Sequence, residues 1–155
     1  GLDGPRQEVI FVEHLRLAAL HDKALIIHDR DAHEDILRVL KEEGAPEKVI
    51  FHCYSGDAQM AKECVRSGYF LSYSGTVTFK NAPGLREALA ITPLANLLVE
   101  TDAPFLSPAP YRGALNSPAQ IARTIRFMAE VLDRPVEELC DATRSNALAL
   151  FGDFS

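Results

Sequence analysis

Long apolar runs are what this sequence most plainly lacks: no stretch approaches the roughly 18 apolar residues that a membrane-spanning helix needs. The first residues show no charged-then-apolar signal pattern, so the expected location is the cytoplasm, with no membrane partner. Cysteine is scarce. Cys53, Cys64 and Cys140 are an odd number at wide spacing with no C-x-x-C, which indicates neither a disulfide framework nor a zinc knuckle; all three are expected to be reduced core thiols. Positive charge is in deficit, 16 basic against 22 acidic residues for a formal charge of -6. That balance argues against a broad nucleic-acid surface, so any phosphate contact must be local or carried by a metal. Internal repeats and low-complexity linkers are absent as well, and residues 1–155 read as one domain.

What is present is a chain that is 47% hydrophobic and 25% charged, enough to build a sizeable core. Four apolar runs have strand character: Ala24-Leu25-Ile26-Ile27, Val49-Ile50-Phe51, Tyr69-Phe70-Leu71-Ser72-Tyr73 and Leu97-Leu98-Val99. The first, second and fourth are continuous, as strands buried on both faces are. Helical periodicity fills the gaps. Val9, Val12, Leu15 and Ala19 share a face before the first strand; Ile36, Leu37 and Leu40 follow it, with Asp31 and Glu34 spaced as a helix cap. Ala61, Cys64 and Val65 form the next stripe, closed by Gly68. Leu85, Ala88 and Leu89 form a fourth, and after the last strand Ile121, Ile125, Met128 and Leu132 mark a longer helix, with Val136, Leu139 and Cys140 on one more. This alternation predicts an α/β fold with a parallel sheet, either an open flavodoxin-like sheet or part of a (β/α)8 barrel. A whole barrel needs ~200 residues or more, and four βα units fill this chain.

Each strand runs into polar residues: Ile26-Ile27 into His28-Asp29-Arg30-Asp31, Ile50-Phe51 into His52-Cys53-Tyr54-Ser55-Gly56, Phe70-Leu71 into Ser72-Tyr73-Ser74-Gly75, and Leu98-Val99 into Glu100-Thr101-Asp102. In parallel α/β folds ligands bind beyond the C-terminal ends of the strands. His28, His52 and Asp102 therefore arrive at one rim. Neutral imidazole and carboxylate are ligands for Zn, Mn or Mg, and an open position on such an ion can hold an activated water, which makes a metal-assisted hydrolase the leading reading. Each piece also has a plain structural reading. His14, His21 and His33 fall on helices and are assigned to surface or packing roles, Lys80 and Arg112 to solvated charge, and Gly56, Gly75 and Gly113 to tight turns. The proline-rich loop from Ala103 to Pro118 serves either as a connector or as a wall of the site.

Four segments, Ile26-Ile27-His28-Asp29-Arg30-Asp31-Ala32, Phe51-His52-Cys53-Tyr54-Ser55-Gly56, Ser74-Gly75-Thr76-Val77-Thr78-Phe79-Lys80-Asn81, and Glu100-Thr101-Asp102-Ala103-Pro104 with Pro110-Tyr111-Arg112-Gly113, closely resemble the TatD family of metal-dependent deoxyribonucleases, of the amidohydrolase-like superfamily. The resemblance runs from about Gln7 to Gly152, and Gly1-Leu2-Asp3 resembles the end of the family's Gly-Glu-x-Gly-Leu-Asp motif. It implies a TIM (β/α)8-barrel fold of which this chain holds about the C-terminal half, and hydrolysis of DNA phosphodiester bonds with a divalent ion, Mg, Mn or Zn. The family's metal-binding histidines fall on His28 and His52, and its strand-end acid, a ligand or the base for the attacking water, on Asp102. Glu100 matches a neighbouring acid one step deeper. Arg112 is implied as a phosphate contact, its fork matching phosphate oxygens, and Lys80 as a second.

Three departures qualify what the resemblance implies. The family's His-x-His pair is absent, its bridging glutamate would precede Gly1, and the connection from Asp3 to Gln7 is shorter than the family's usual loop. Half a barrel would also leave two unpaired strand edges, to be covered by an N-terminal half or by another copy of the chain. The alternatives are a superfamily hydrolase of small amides, esters or lactones, and a non-catalytic truncated relative.

Overall fold

The computed structural model describes residues 4–153; Gly1-Leu2-Asp3 lie outside them. Along the chain run α1 (Gly4–Leu20), β1 (Leu25–His28), α2 (His33–Glu43), β2 (Val49–His52), α3 (Ala58–Arg66), β3 (Phe70–Tyr73), α4 (Pro83–Ile91), β4 (Leu97–Val99), α5 (Ile121–Leu132) and α6 (Val136–Phe151). This is the order expected from the hydrophobic periodicity. Local chemistry sets several boundaries. The Asp57 side chain accepts the Met60 N–H at 2.9 Å and starts α3. Beyond its end Gly68, at φ +77°, donates its N–H to the Val65 carbonyl.

All four strands are parallel and hydrogen-bonded in the sequential order β1-β2-β3-β4. A flavodoxin-like sheet reverses its order at a switch point. No reversal occurs here, and sequential addition of parallel strands is how a barrel arc grows.

The two faces of the sheet are unequal. On one, Ile27, Phe51, Leu71 and Leu97 join Leu15, Leu40, Cys64, Leu89 and Met128 in the main core. On the other, Ile50 and Leu98 are covered by Leu150 and Ala147 of α6, while Ile26 stays 57% exposed. The continuous apolar run of β1 was expected to be buried on both faces. Instead it alternates buried and exposed, because among the described residues nothing packs over Ile26.

Three other expectations are corrected. On α1 the buried residues are Leu15 and Ala18, with Val9 and Ala19 exposed; the inward face is rotated by one residue. Asp31 does not cap α2. It takes a left-handed conformation at φ +58°, and Asp29 accepts the Ala32 N–H instead. Of the cysteines only Cys64 is a core thiol; Cys53 is half-buried and Cys140 exposed.

Burial pushes the Cys64 thiol from 9.0 up to about 12. At mildly alkaline pH, Cys140 is therefore expected to react first with a thiol-specific disulfide reagent, and Cys64 only after denaturation. The linkage has a definite sign. A proton held more tightly in the folded chain contributes stability that is full below pH 9 and declines as pH rises from there through about 12. The urea midpoint should fall over that window, and Cys64→Ala should flatten the fall.

Candidate metal centre

The register of the sheet assembles the site. His28 and His52 are direct partners across β1 and β2, so their side chains leave the same pleat face. Their ring centroids lie 5.8 Å apart, tilted by 39°. Two strands away, Glu100 extends the β3–β4 ladder by donating its N–H to the Tyr73 carbonyl. Asp102 follows in a left-handed conformation, φ +55°, which a non-glycine residue adopts at some energetic cost.

The imidazole of His52 is bracketed by the two carboxylates. Its Nδ1 lies 2.9 Å from Glu100 Oε1 and its Nε2 3.5 Å from Asp102 Oδ1. His52, Glu100 and Asp102 each bring one ligand atom to within 4.8 Å of the others. Glu100 Oε2 accepts the Cys53 N–H at 3.0 Å, whereas Oε1 is buried and accepts no hydrogen bond. Its 2.9 Å approach to His52 is thus close without being aligned as N–H···O. A buried carboxylate oxygen left without a donor is costly. A cation among these three side chains would satisfy it, and one nitrogen with two carboxylates is a donor set for Zn, Mn or Mg. The group fits a divalent ion.

Cys53 lies beside the cluster in another left-handed conformation, φ +45°. Burial pushes its thiol up; the Ser74 hydroxyl, 3.2 Å away, opposes the shift, and Glu100 and Asp102 reinforce it. It stays outside the three-residue group that could hold an ion.

The expected site residues separate into three groups. His52, Asp102 and Glu100 converge. His28 adjoins through its ring but stays outside the three-residue group. Arg112 and Lys80 belong elsewhere on the rim. The Arg112 guanidinium donates to Asn81 Oδ1 at 3.0 Å and stacks 4.4 Å over the Phe79 ring, and Lys80 is exposed. Among the described residues no hydrogen bond, ion pair or ring contact joins either to His52, Glu100 or Asp102. Sequence reasoning missed another pair just after β1: buried Asp29 bonds the His33 Nδ1. Their four-residue spacing across the start of α2 was the available signal.

The turn after β3 clamps the proline loop. Thr78 Oγ1 accepts the Ala109 N–H at 2.8 Å and donates to the Gly75 carbonyl at 2.7 Å. Gly75 serves this contact and not a tight turn, since a Cβ there would lie 2.3 Å from the Leu106 carbonyl oxygen and 2.9 Å from Pro108 N. Gly56 is likewise crowded by Met60 and Tyr54, whereas Gly113, at φ +91°, does require glycine. Gly75→Ala should displace the loop and destabilise the chain by ~1–3 kcal/mol, read as a lower urea midpoint.

Comparison with known proteins places this geometry in context. A Mycobacterium tuberculosis protein named as an uncharacterized metal-dependent hydrolase, TatD, is 49% identical over 146 residues, matching 94% of this chain and 55% of its own length. The Bacillus subtilis metal-dependent hydrolase YabD is 42% identical over 147 residues, matching 94% of this chain and 57% of its own. The crystal structure of YJJV, a TatD homolog from Escherichia coli K12, superposes with a TM-score of 0.90 at 34% identity, over 96% of this chain and 57% of that one. The chain thus spans about half the length of the relatives it matches. The family model described as TatD related DNase matches residues 3–152, and on that match the chain belongs to the TatD related DNase family.

Proposed function

We propose that this chain carries the metal-facing half-site of a phosphodiester hydrolase that acts on DNA. The observation that carries the reading is the convergence of His52, Glu100 and Asp102 around an unsatisfied carboxylate oxygen at the sheet's C-terminal rim. A bound divalent ion supplies a more acidic water and offsets charge on the phosphate. Asp102, one-third exposed at its side chain, accepts the proton of the attacking water at Oδ1. Glu100, fixed by the Cys53 N–H, holds the neighbouring face. His28 and His52 contribute the imidazole nitrogens. Arg112, braced by Asn81 and Phe79, offers its planar fork to a phosphate further along the strand, with Lys80 beside it.

We read the four strands as the C-terminal half of an eight-stranded barrel. Open grooves flank both ends of the arc, one lined by Phe11, Ile27 and Ile36 beside β1, the other by Leu98, Ile125 and Ala147 beside β4. An N-terminal half or a second copy of the chain would fill them and bring further ligands.

A second reading, hydrolysis of small amides, esters or lactones, is favoured by the net charge of -6, which repels a polyanion. One assay decides between them: single-stranded DNA and a panel of small substrates, each with Mg or Mn, on wild type and Asp102→Asn. Metal-dependent DNA cleavage lost in the variant is the expected result. Intact DNA with wild type and variant alike would overturn the DNA reading.

A further inference from the structure

Asn116 lies 14 residues beyond Asp102 at the far end of the proline loop, yet it is 5% exposed and turns its amide nitrogen to the segment around that aspartate. Its Nδ2 donates to the carbonyls of Thr101 at 2.8 Å and Phe105 at 2.6 Å. Oδ1 accepts the Ser117 N–H at 2.8 Å, and the backbone N–H donates to the Pro104 carbonyl at 3.0 Å. The reverse orientation of the amide would set its oxygen against two carbonyls, so the donor assignment follows from the network. Asp102 sits between these ties. It is left-handed at φ +55°, and its own carbonyl accepts the Phe105 N–H at 2.9 Å.

We propose that Asn116 is a positioning residue that fixes the aim of the Asp102 carboxylate at His52. One amide ties the residue before Asp102 and the residue three beyond it, closing a short turn whose apex is the aspartate. An isolated left-handed aspartate on a loop would sample other conformations. With both flanking carbonyls tied, Oδ1 is held at the 3.5 Å separation from His52 Nε2 that completes the cluster. A displacement of about 1 Å at such a group is enough to lower a rate ~10²-fold. The inference rests on the reading of Asp102 as the working carboxylate of the metal centre.

The fold supplies its own control. At the other end of β4, Asn146 Nδ2 donates to the carbonyls of Leu94 at 2.8 Å and Leu97 at 2.9 Å, the same two-carbonyl tie far from the rim. Asn116→Leu and Asn146→Leu therefore delete equivalent bonds. The measurement is the His52 ring resonance in the metal-free chain, with Asp102→Asn marking where that resonance goes when the carboxylate charge is removed. Asn116→Leu should move it toward the Asp102→Asn position, and Asn146→Leu should leave it with wild type. Mn2+ affinity, by calorimetry, should fall ~10–100-fold in Asn116→Leu only, as when an orienting partner of a ligand is removed. If Asn116→Leu fails to fold, Asn116→Ala is read in the same way. A resonance that stays with wild type in the Asn116 variant, or moves equally in both, would overturn the proposal. Wild type that binds no Mn2+ would count against the metal centre, and the resonance comparison would still decide the role of Asn116.

Discussion

Asp102→Ala is expected to abolish measurable Mn2+ binding by this chain and to lower metal-dependent hydrolysis by ~10²–10⁴-fold, with the circular dichroism of the fold unchanged. The side chain is one-third exposed, so its removal should leave the packing intact. What is lost is one of three converging ligand atoms and the acceptor nearest His52 Nε2. His52→Ala should weaken binding comparably, because its imidazole lies between both carboxylates. Stripping divalent ions from wild type with a chelator should reproduce the activity loss, and adding Mg or Mn back should reverse it. Calorimetry beside a nuclease assay on the same samples reads both effects. Unaltered binding in Asp102→Ala and His52→Ala would place the ion elsewhere.

The second large effect is on stability. Phe51→Ala should destabilise the chain by ~3–5 kcal/mol, a large part of the ~5–15 kcal/mol that a typical domain has, and leave much of it unfolded near physiological temperature. Phe51 is 0% exposed on a central strand, paired with Ile27 and Leu71, with its ring 6.1 Å from that of Tyr69. Ile26 is one position away in the sheet register, on β1, and 57% exposed on the opposite face. Ile26→Ala should change stability by no more than ~0.5 kcal/mol. Urea unfolding of the two variants tests the one-sided burial of the sheet. An Ile26→Ala as damaging as Phe51→Ala would mean that the inner face is covered in solution, by a second copy or by another segment.

The element order was legible from sequence because apolar periodicity is local. Stripes such as Ala61 and Cys64, and runs such as Val49-Ile50-Phe51, carry their own period and need no partner to be read. Even there burial was less legible than type, as Val9 and Ile26 show, since exposure depends on what packs opposite. The rim was legible too. Parallel strands deliver their C-terminal ends to one side, so the residues following Ile27, Phe51 and Val99 had to share it. The motif resemblance then gave His28, His52 and Asp102 roles that spacing alone left open.

By itself, then, the sequence determined an α/β chain of four strands whose ends carry imidazole and carboxylate to one rim. Tertiary structure decided the rest. The strand order that separates a barrel arc from an open sheet, the entry of Glu100 into the cluster through a bond to Cys53 47 residues away, and the clip of Asn116 around Asp102 are all long-range. So is the placement of Arg112 on Phe79 and Asn81 and not on the carboxylates. Each depends on contacts between segments apart in the chain, which no local pattern encodes; within the sheet, a one-residue slip of register would turn every side chain to the opposite face.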